Sequence, residues 1–492
     1  MKLTGIGGGA VTIAMCEPAG PSGWSARAVR MVVVRPSLVF GIASAIMGIA
    51  IALIAPPLRG PDETAHFLRA YGIGQGDLLP SAHDSNGRKG IQLPVSLHRQ
   101  FHVFESWQSA NRGEGFSYRR VFEEYRALGD GMIETPNQTV FVPYGGSEGY
   151  SPVAYLPQAA AAAVAQRAGL GFLETFYLMR MAGLLAMTMV AAYAIALTPV
   201  LKWPLAAIAM LPSALYGRAV INADSAALAY SLVLVAIFLR TIMGTPIVAT
   251  SARSVWMLLC VLSKPPNVAF LLLEWLSRSP ASLRRRFWQV AAATLPAVAA
   301  AFFWTVISSA DVAAWRLVEL TGVHAEQFSP GWKLRFMVTN PLAFPHAVLG
   351  TFTETHPMEF WRQVVGVLGL FDTVLRAWLY PLIGLLLAAT FVSPLGSGRC
   401  VACALASLFT AMAYCLAVFL IFYLIWTPVD ADRIWGVQGR YFVPVLPLIA
   451  AAMAAALNRG PDGRLTAVFA ITVGLLSGGG SIDAILRADW NF

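Results

Sequence analysis

Charge is scarce in this sequence. Only 12% of its 492 residues are Asp, Glu, Lys or Arg, against roughly 25% in soluble domains, which excludes a chain that shows most of its surface to water. Cysteine is scarcer still, with five at positions 16, 260, 400, 403 and 415. They lie in the N-terminal tail or in and beside apolar runs, and none falls in a long polar segment, so a disulfide framework is excluded as an organising device. Cys400 and Cys403 form a C-x-x-C, but no second Cys or His pair is near enough in sequence to complete a zinc site. The two halves share no recognisable repeat, which weakens an inverted-repeat transporter. The first thirty residues lack the compact basic, apolar and small-residue order of a signal peptide. They read as a disordered tail, and Met31 is a plausible alternative start.

What is present is apolar. Hydrophobic residues make up 57% of the chain, in recurrent runs long enough to cross a bilayer. This pattern predicts an all-α polytopic membrane protein with about 11 hydrophobic helical segments, near 37–57, 152–168, 176–198, 204–220, 225–243, 255–276, 288–308, 377–395, 401–425, 442–457 and 465–485. The net charge of +9 comes from basic clusters beside these runs, a positive-inside pattern and not a nucleic-acid footprint. Arg27, Arg30 and Arg35 predict a cytoplasmic tail over 1–35, and Arg284–Arg286, Arg399, Arg459 and Arg464 mark further cytoplasmic turns. Residues 59–150, 309–376 and 426–441 are then external.

The middle admits two topologies. If every run from 176 to 276 crosses, Asp224 is cytoplasmic. If 204–220 is broken or re-entrant and VLSKPPNVAF divides 255–276 into two short helices, Asp224 is external. Pro204, Pro212, Pro265 and Pro266 favour breaks, because proline removes a backbone donor and broken helices persist where they line a cavity.

Few ionisable residues remain to carry chemistry. GPDETAHFLRA, residues 60–70, follows the first run directly. Pro61, Asp62 and Glu63 suit a helix start, but that does not explain His66 and Arg69, which share a face with Asp62. Such a stripe fits a general base, a metal-ligand pair or a phosphate clamp. Glu63 aligns instead with Phe67 and Ala70, which offer it no polar partner. Tyr150 and Tyr155, in GYSPVAYLPQAA, suit an interfacial aromatic belt. Arg180 lies within a predicted span and must snorkel or pair. Asp224, beside Asn222, is placed to cap the helix that follows. Lys264 sits inside an apolar run, where an ammonium is costly and marks a functional candidate. In GVQGRYFVP, Gly436 and Gly439 permit close backbone approach, and Arg440 offers a fork suited to phosphate.

Together these segments resemble the bacterial membrane-protein family catalogued as domain of unknown function 2142. The resemblance is carried by PPLRGPDETAHFLRAYGIGQGDLL, YSPVAYLPQAAAAAVAQRAG, FYLMRMAGLLA, MLPSALYGRAVINADSAALAYSLVL, VLSKPPNVAFLLL, VVGVLGLFDTVLRAWLY and WTPVDADRIWGVQGRYFVPVLPL, in that order over residues 36–457. Asn222 and Ala223 depart from the usual pattern, and the lysine motif lacks the common aromatic after its proline. The family in turn resembles the GT-C class of multispanning glycosyltransferases that use lipid-phosphate sugars.

That resemblance implies a GT-C-like module over 36–308 with a large first external loop containing short helices, an external loop over 309–376, and C-terminal helices over 377–492. It implies Asp62 and Asp224 as catalytic carboxylates, with Glu63, His66, Arg69, Lys264, Gln438, Arg440 and Tyr441 around a lipid phosphate. A divalent metal on Asp62, His66 and Asp224 is a further option. The implied partners are a polyprenyl-phosphate-linked sugar, a glycan or lipid acceptor and the lipids of a bacterial inner membrane. A transporter or flippase of lipid-linked sugar, or a non-catalytic assembly protein, is the alternative.

Overall fold

A computed structural model describes residues 35–108, 116–129, 138–245, 248–276, 283–308, 317–318, 321–395, 400–460 and 463–492. The predicted tail before Arg35 and the marker Arg399 lie outside the described residues. Among the described residues the fold is helical, with two small two-stranded antiparallel sheets, Gly90–Pro94 on Thr139–Pro143 and Val367–Leu368 on Thr373–Val374.

Seven described helices are long and apolar enough to cross a membrane: Pro36–Ile54, Phe172–Leu197, Asp224–Ile242, Arg286–Ile307, Val401–Ile425, Gly439–Leu457 and Gly463–Asp489. Helix Pro36–Ile54 sets the axis. Ser44 Oγ meets Thr188 Oγ1 at 3.1 Å, and a Cβ on Gly48 would stand 2.5 Å from the Leu184 side chain. Because position 44 meets 188 while 48 meets 184, helix Phe172–Leu197 runs antiparallel to the first. Helix Gly463–Asp489 runs parallel to it, since the indole of Trp490 donates to the Ile54 carbonyl at 2.8 Å and Arg59 Nε to Asp489 at 3.1 Å.

Four of the eleven predicted runs do not form single crossing helices; that at 377–395 gives only Leu379–Phe391, thirteen residues. Residues 152–168 form a 3₁₀ turn, Pro152–Tyr155, and a twelve-residue helix, Leu156–Arg167. At 1.5 Å per residue that helix is about 18 Å long, short of a bilayer core of about 30 Å. It starts with Gln158 against Gly183 and ends just before Phe172, so it returns to the end of the bundle it came from. Residues 204–220 break into Lys202–Ala209 and Pro212–Ala219, with Pro212 opening the second piece as proline at a first turn should. Residues 255–276 split at Lys264 into Thr250–Ser263 and a 3₁₀ segment, Pro265–Leu271, that continues into Leu272–Leu276. Arg253 pairs with Glu274 across the two arms at 3.2 Å. The run is therefore a helical hairpin with Lys264 at its apex.

The described parts of the polar segments gather at the end where the first helix terminates. Phe67, Phe101 and Phe104 of the first segment pack with Phe172 and Phe176 of helix Phe172–Leu197 in one aromatic core. Arg59, fully buried, joins that segment to the second, 309–376, through Asp372 at 2.8 Å. Ile434 of the 426–441 segment donates its backbone N–H to Thr351 at 2.9 Å.

Candidate functional site

The site begins where the first helix ends. Helix Glu63–Gly74 starts after Asp62, which is held in the left-handed region (φ 53°, ψ 23°) and makes no side-chain cap. An L-residue is strained there, and the local geometry turns the two neighbouring carboxylates to opposite fates. Asp62 keeps 55% of its side chain exposed, whereas Glu63 and Arg180 are both at 0%.

Glu63 has a full set of polar partners, contrary to the sequence-based expectation. Its carboxylate accepts from the backbone N–H groups of Gly60 and Ile221, each at 2.8 Å. It pairs with Arg180 through Nε at 2.8 Å and Nη2 at 2.7 Å. Arg180 also donates to the carbonyls of Ala52, Ala55 and Pro56, where the first helix runs out of its own donors. Counting i+3 and i+4 neighbours could not find this pair, because the partner is 117 positions away. Arg69 is similarly occupied: it donates to the carbonyls of Asp77 and Leu78 at 2.8 Å. Glu63 and Arg69 thus brace the chain around the site.

Asp224 opens helix Asp224–Ile242. The expected capping role falls to Asn222, whose Oδ1 accepts from the Ser225 backbone N–H at 3.0 Å. Asp224 instead pairs with Lys264. Lys264 precedes Pro265 and is extended (φ −157°, ψ 133°), as a residue before proline tends to be; the helix must stop there, and its side chain is left at the apex. Its ammonium lies 4.0 Å from the Tyr441 ring centroid.

Arg440 completes the cluster. Gly439 allows the approach: a Cβ there would stand 2.3 Å from the Phe360 carbonyl oxygen. Arg440 Nη2 lies 3.3 Å from Asp62 Oδ2 and Nε 3.5 Å from Asp224 Oδ2. Its guanidinium stacks on Phe371 and Tyr441 at 4.8 and 5.1 Å. Gln438 Oε1, next in line, is buried without a hydrogen-bond partner. Asp62 and Asp224 therefore share one end of the bundle.

His66 Nδ1 and Tyr155 Oη are 2.6 Å apart, and the His66 ring meets Tyr150 edge-on at 5.4 Å. Burial pushes the imidazole down to about 4; Asp62 and Asp224 oppose that shift, while Arg440 and Lys264 reinforce it. The imidazole is accordingly neutral near pH 7. Tyr150 and Tyr155, read from sequence as an aromatic belt, line this site; their spacing from a proline-initiated helix gave no hint of it. Among the described residues no group of three or more His, Cys, Asp and Glu side chains is placed to hold a metal ion. Asp62 and Asp224 face the cations Arg440 and Lys264, so the set of Asp62, His66 and Asp224 does not fit a divalent ion, and no step is derived through one.

The model of one protein family, described as a predicted membrane protein (DUF2142), matches residues 45–449. The chain belongs to this family. The match takes in every segment that supplies the candidate site, from Asp62 to Tyr441. No curated protein and no solved structure matches the chain.

Proposed function

We propose that this DUF2142 protein is a membrane glycosyltransferase. It moves a sugar from a polyprenyl phosphate to a cell-envelope glycan or lipid-linked acceptor on the external face of a bacterial inner membrane, with its N-terminus in the cytoplasm. The observation that carries the proposal is the meeting of Asp62, Asp224, Lys264 and Arg440, from four separate segments, where the first helix leaves the apolar layer. Keeping two carboxylates and two cations at such a boundary is costly and marks function more often than stability.

The reaction follows from their chemistry. Asp62, the more exposed carboxylate, takes the proton from an acceptor hydroxyl. The acceptor oxygen bonds to the sugar's anomeric carbon while the bond from that carbon to the phosphate oxygen breaks. The departing phosphate keeps the electron pair and is stabilised by Arg440 and Lys264. Asp224 positions both cations, and the GT-C resemblance implies an acid at the reaction centre directly after the first span and a second acid on a later external loop. The transport alternative would have Arg180 and Lys264 line a route across the bilayer; both are instead tied to the Asp62 end.

The test is incubation of purified protein with synthetic polyprenyl-phosphate sugars and candidate acceptors, read by mass spectrometry. Transfer that disappears in Asp62→Asn supports the reading; no transfer with any donor, together with movement of labelled lipid between leaflets, removes it.

A further inference from the structure

A cavity lies beside the ionic cluster. It measures about 290 Å³ and is lined by Tyr150, Val261, Pro265, Val298, Ala301 and Phe302 among others. Its walls are the 149–151 turn, both arms of the helical hairpin and helix Leu283–Ile307. Trp304 closes one side by donating its indole N–H to the Gly149 carbonyl at 2.8 Å. Phe302 is 71% exposed, and Val298 and Val268 are also exposed. They sit on or against a helix of membrane-crossing length and composition, so this mouth faces hydrocarbon.

The cavity adjoins the ionic site at two points. Tyr150 lines it and also packs on His66. Pro265 lines it, while the preceding Lys264 pairs with Asp224 on the other side of the same apex. The apolar trough thus reaches the apex whose Lys264, with Arg440, lines the neighbouring ionic pocket.

We infer that this groove holds the phosphate-proximal end of a single hydrocarbon chain whose phosphate lies at Lys264 and Arg440. The inference rests on the lipid-phosphate reading above and specifies where the lipid enters: between the 265–268 segment and helix Leu283–Ile307. The volume sits at the low end for ligand pockets, about 300 Å³, so it takes the first units of one long chain and leaves the rest in the bilayer. The mostly apolar lining, with Tyr150, Ser151 and Thr305 as its hydroxyl residues, and the cations beyond the apex fit a single-chain lipid phosphate better than a free sugar.

The experiment uses the full chain in phosphatidylcholine nanodiscs and a polyprenyl monophosphate carrying a diazirine near its phosphate. After irradiation, the adduct is mapped by mass spectrometry. The expected result is saturable labelling at Val268, Val298, Ala301 or Phe302, competed by unlabelled polyprenyl phosphate but not by the free polyprenol. Ala301→Trp, which fills the groove, should reduce that labelling at least tenfold. Saturable labelling on another face, or undiminished labelling of folded Ala301→Trp, overturns the groove and leaves the lipid-phosphate reading standing. Equal labelling by a diazirine phosphatidylcholine assigns the groove to ordinary bilayer lipid and overturns it too. No saturable labelling anywhere removes the lipid-phosphate reading itself. If Ala301→Trp does not fold, the wild-type map alone decides.

Discussion

Arg440 Nη2 lies 3.3 Å from Asp62 Oδ2, although the two residues are 378 positions apart. The same guanidinium reaches Asp224 through Nε at 3.5 Å, so one planar fork sets the spacing of both carboxylates. A lysine keeps the charge but cannot span two acids in fixed geometry. Arg440→Lys should therefore lower transfer about 10²–10³-fold, the scale for losing one preorganised charge donor, with thermal stability nearly unchanged. Transfer rates at matched protein level check this, and an unaffected rate removes Arg440 from the mechanism.

Asp62 and Glu63, though adjacent, should fail in different ways. Asp62→Asn should reduce transfer about 10²–10⁴-fold, as for a positioned base, and leave the fold intact. Asp62→Gly should be inactive yet more stable by about 1 kcal/mol, since glycine relieves the left-handed backbone. Glu63→Gln should instead destabilise by about 3–5 kcal/mol, because it leaves Arg180 buried without its counter-ion. Melting temperatures measured beside activity separate the two; a stable, inactive Glu63→Gln would move Glu63 into the chemistry.

Lys264 and Asp224 should behave as a unit. Lys264→Met and Asp224→Asn each remove one member of a largely buried pair, and the double substitution should cost less than the sum by about 0.5–3 kcal/mol. A double-mutant cycle in thermal stability measures this, and strict additivity would contradict the pairing.

Acid should weaken the fold through His66. Its imidazole titrates near 4 when folded and near its ordinary 6.5 when unfolded, with burial the largest cause and Asp62, Asp224, Arg440, Lys264, Tyr150 and Tyr155 around it. Between those values the unfolded chain binds the proton and the folded one does not. The contribution is thus complete above about pH 6.5 and is lost as pH falls toward 4, by about 3 kcal/mol in all. Melting curves across that window should show the loss, and His66→Gln should flatten it. An equally steep loss in the variant would assign the effect elsewhere.

The proposed orientation makes Glu123 external and Arg464 cytoplasmic. In a background lacking native cysteines, Glu123→Cys should react with an impermeant maleimide on intact cells, and Arg464→Cys only after permeabilisation. The reverse pattern would place the site inside.

Some of this was readable from sequence, for physical reasons that are local. A deficit of charge and long apolar runs are properties of composition, so membrane helices were legible. Pro265 and Pro212 break helices through their own missing donors, so the apex at Lys264 and the break before Pro212 were legible too. The failures came where a residue's partner lies outside its own helix. The 152–168 run has a span's composition, but Gln158 packs on Gly183 and the chain turns back after twelve helical residues. Glu63 and Arg69 carry the charges expected of a site, yet Arg180 and the Asp77 and Leu78 carbonyls claim them. Tyr155 meets His66 only because the 149–155 turn folds under helix Glu63–Gly74. Sequence by itself determined which groups are too costly to bury without cause. Tertiary structure alone decided which serve the fold and which surround Arg440, because a buried charge is defined by the partner it finds: Arg180 lies 117 positions from Glu63, Arg440 lies 378 from Asp62, and even Lys264 is 40 from Asp224.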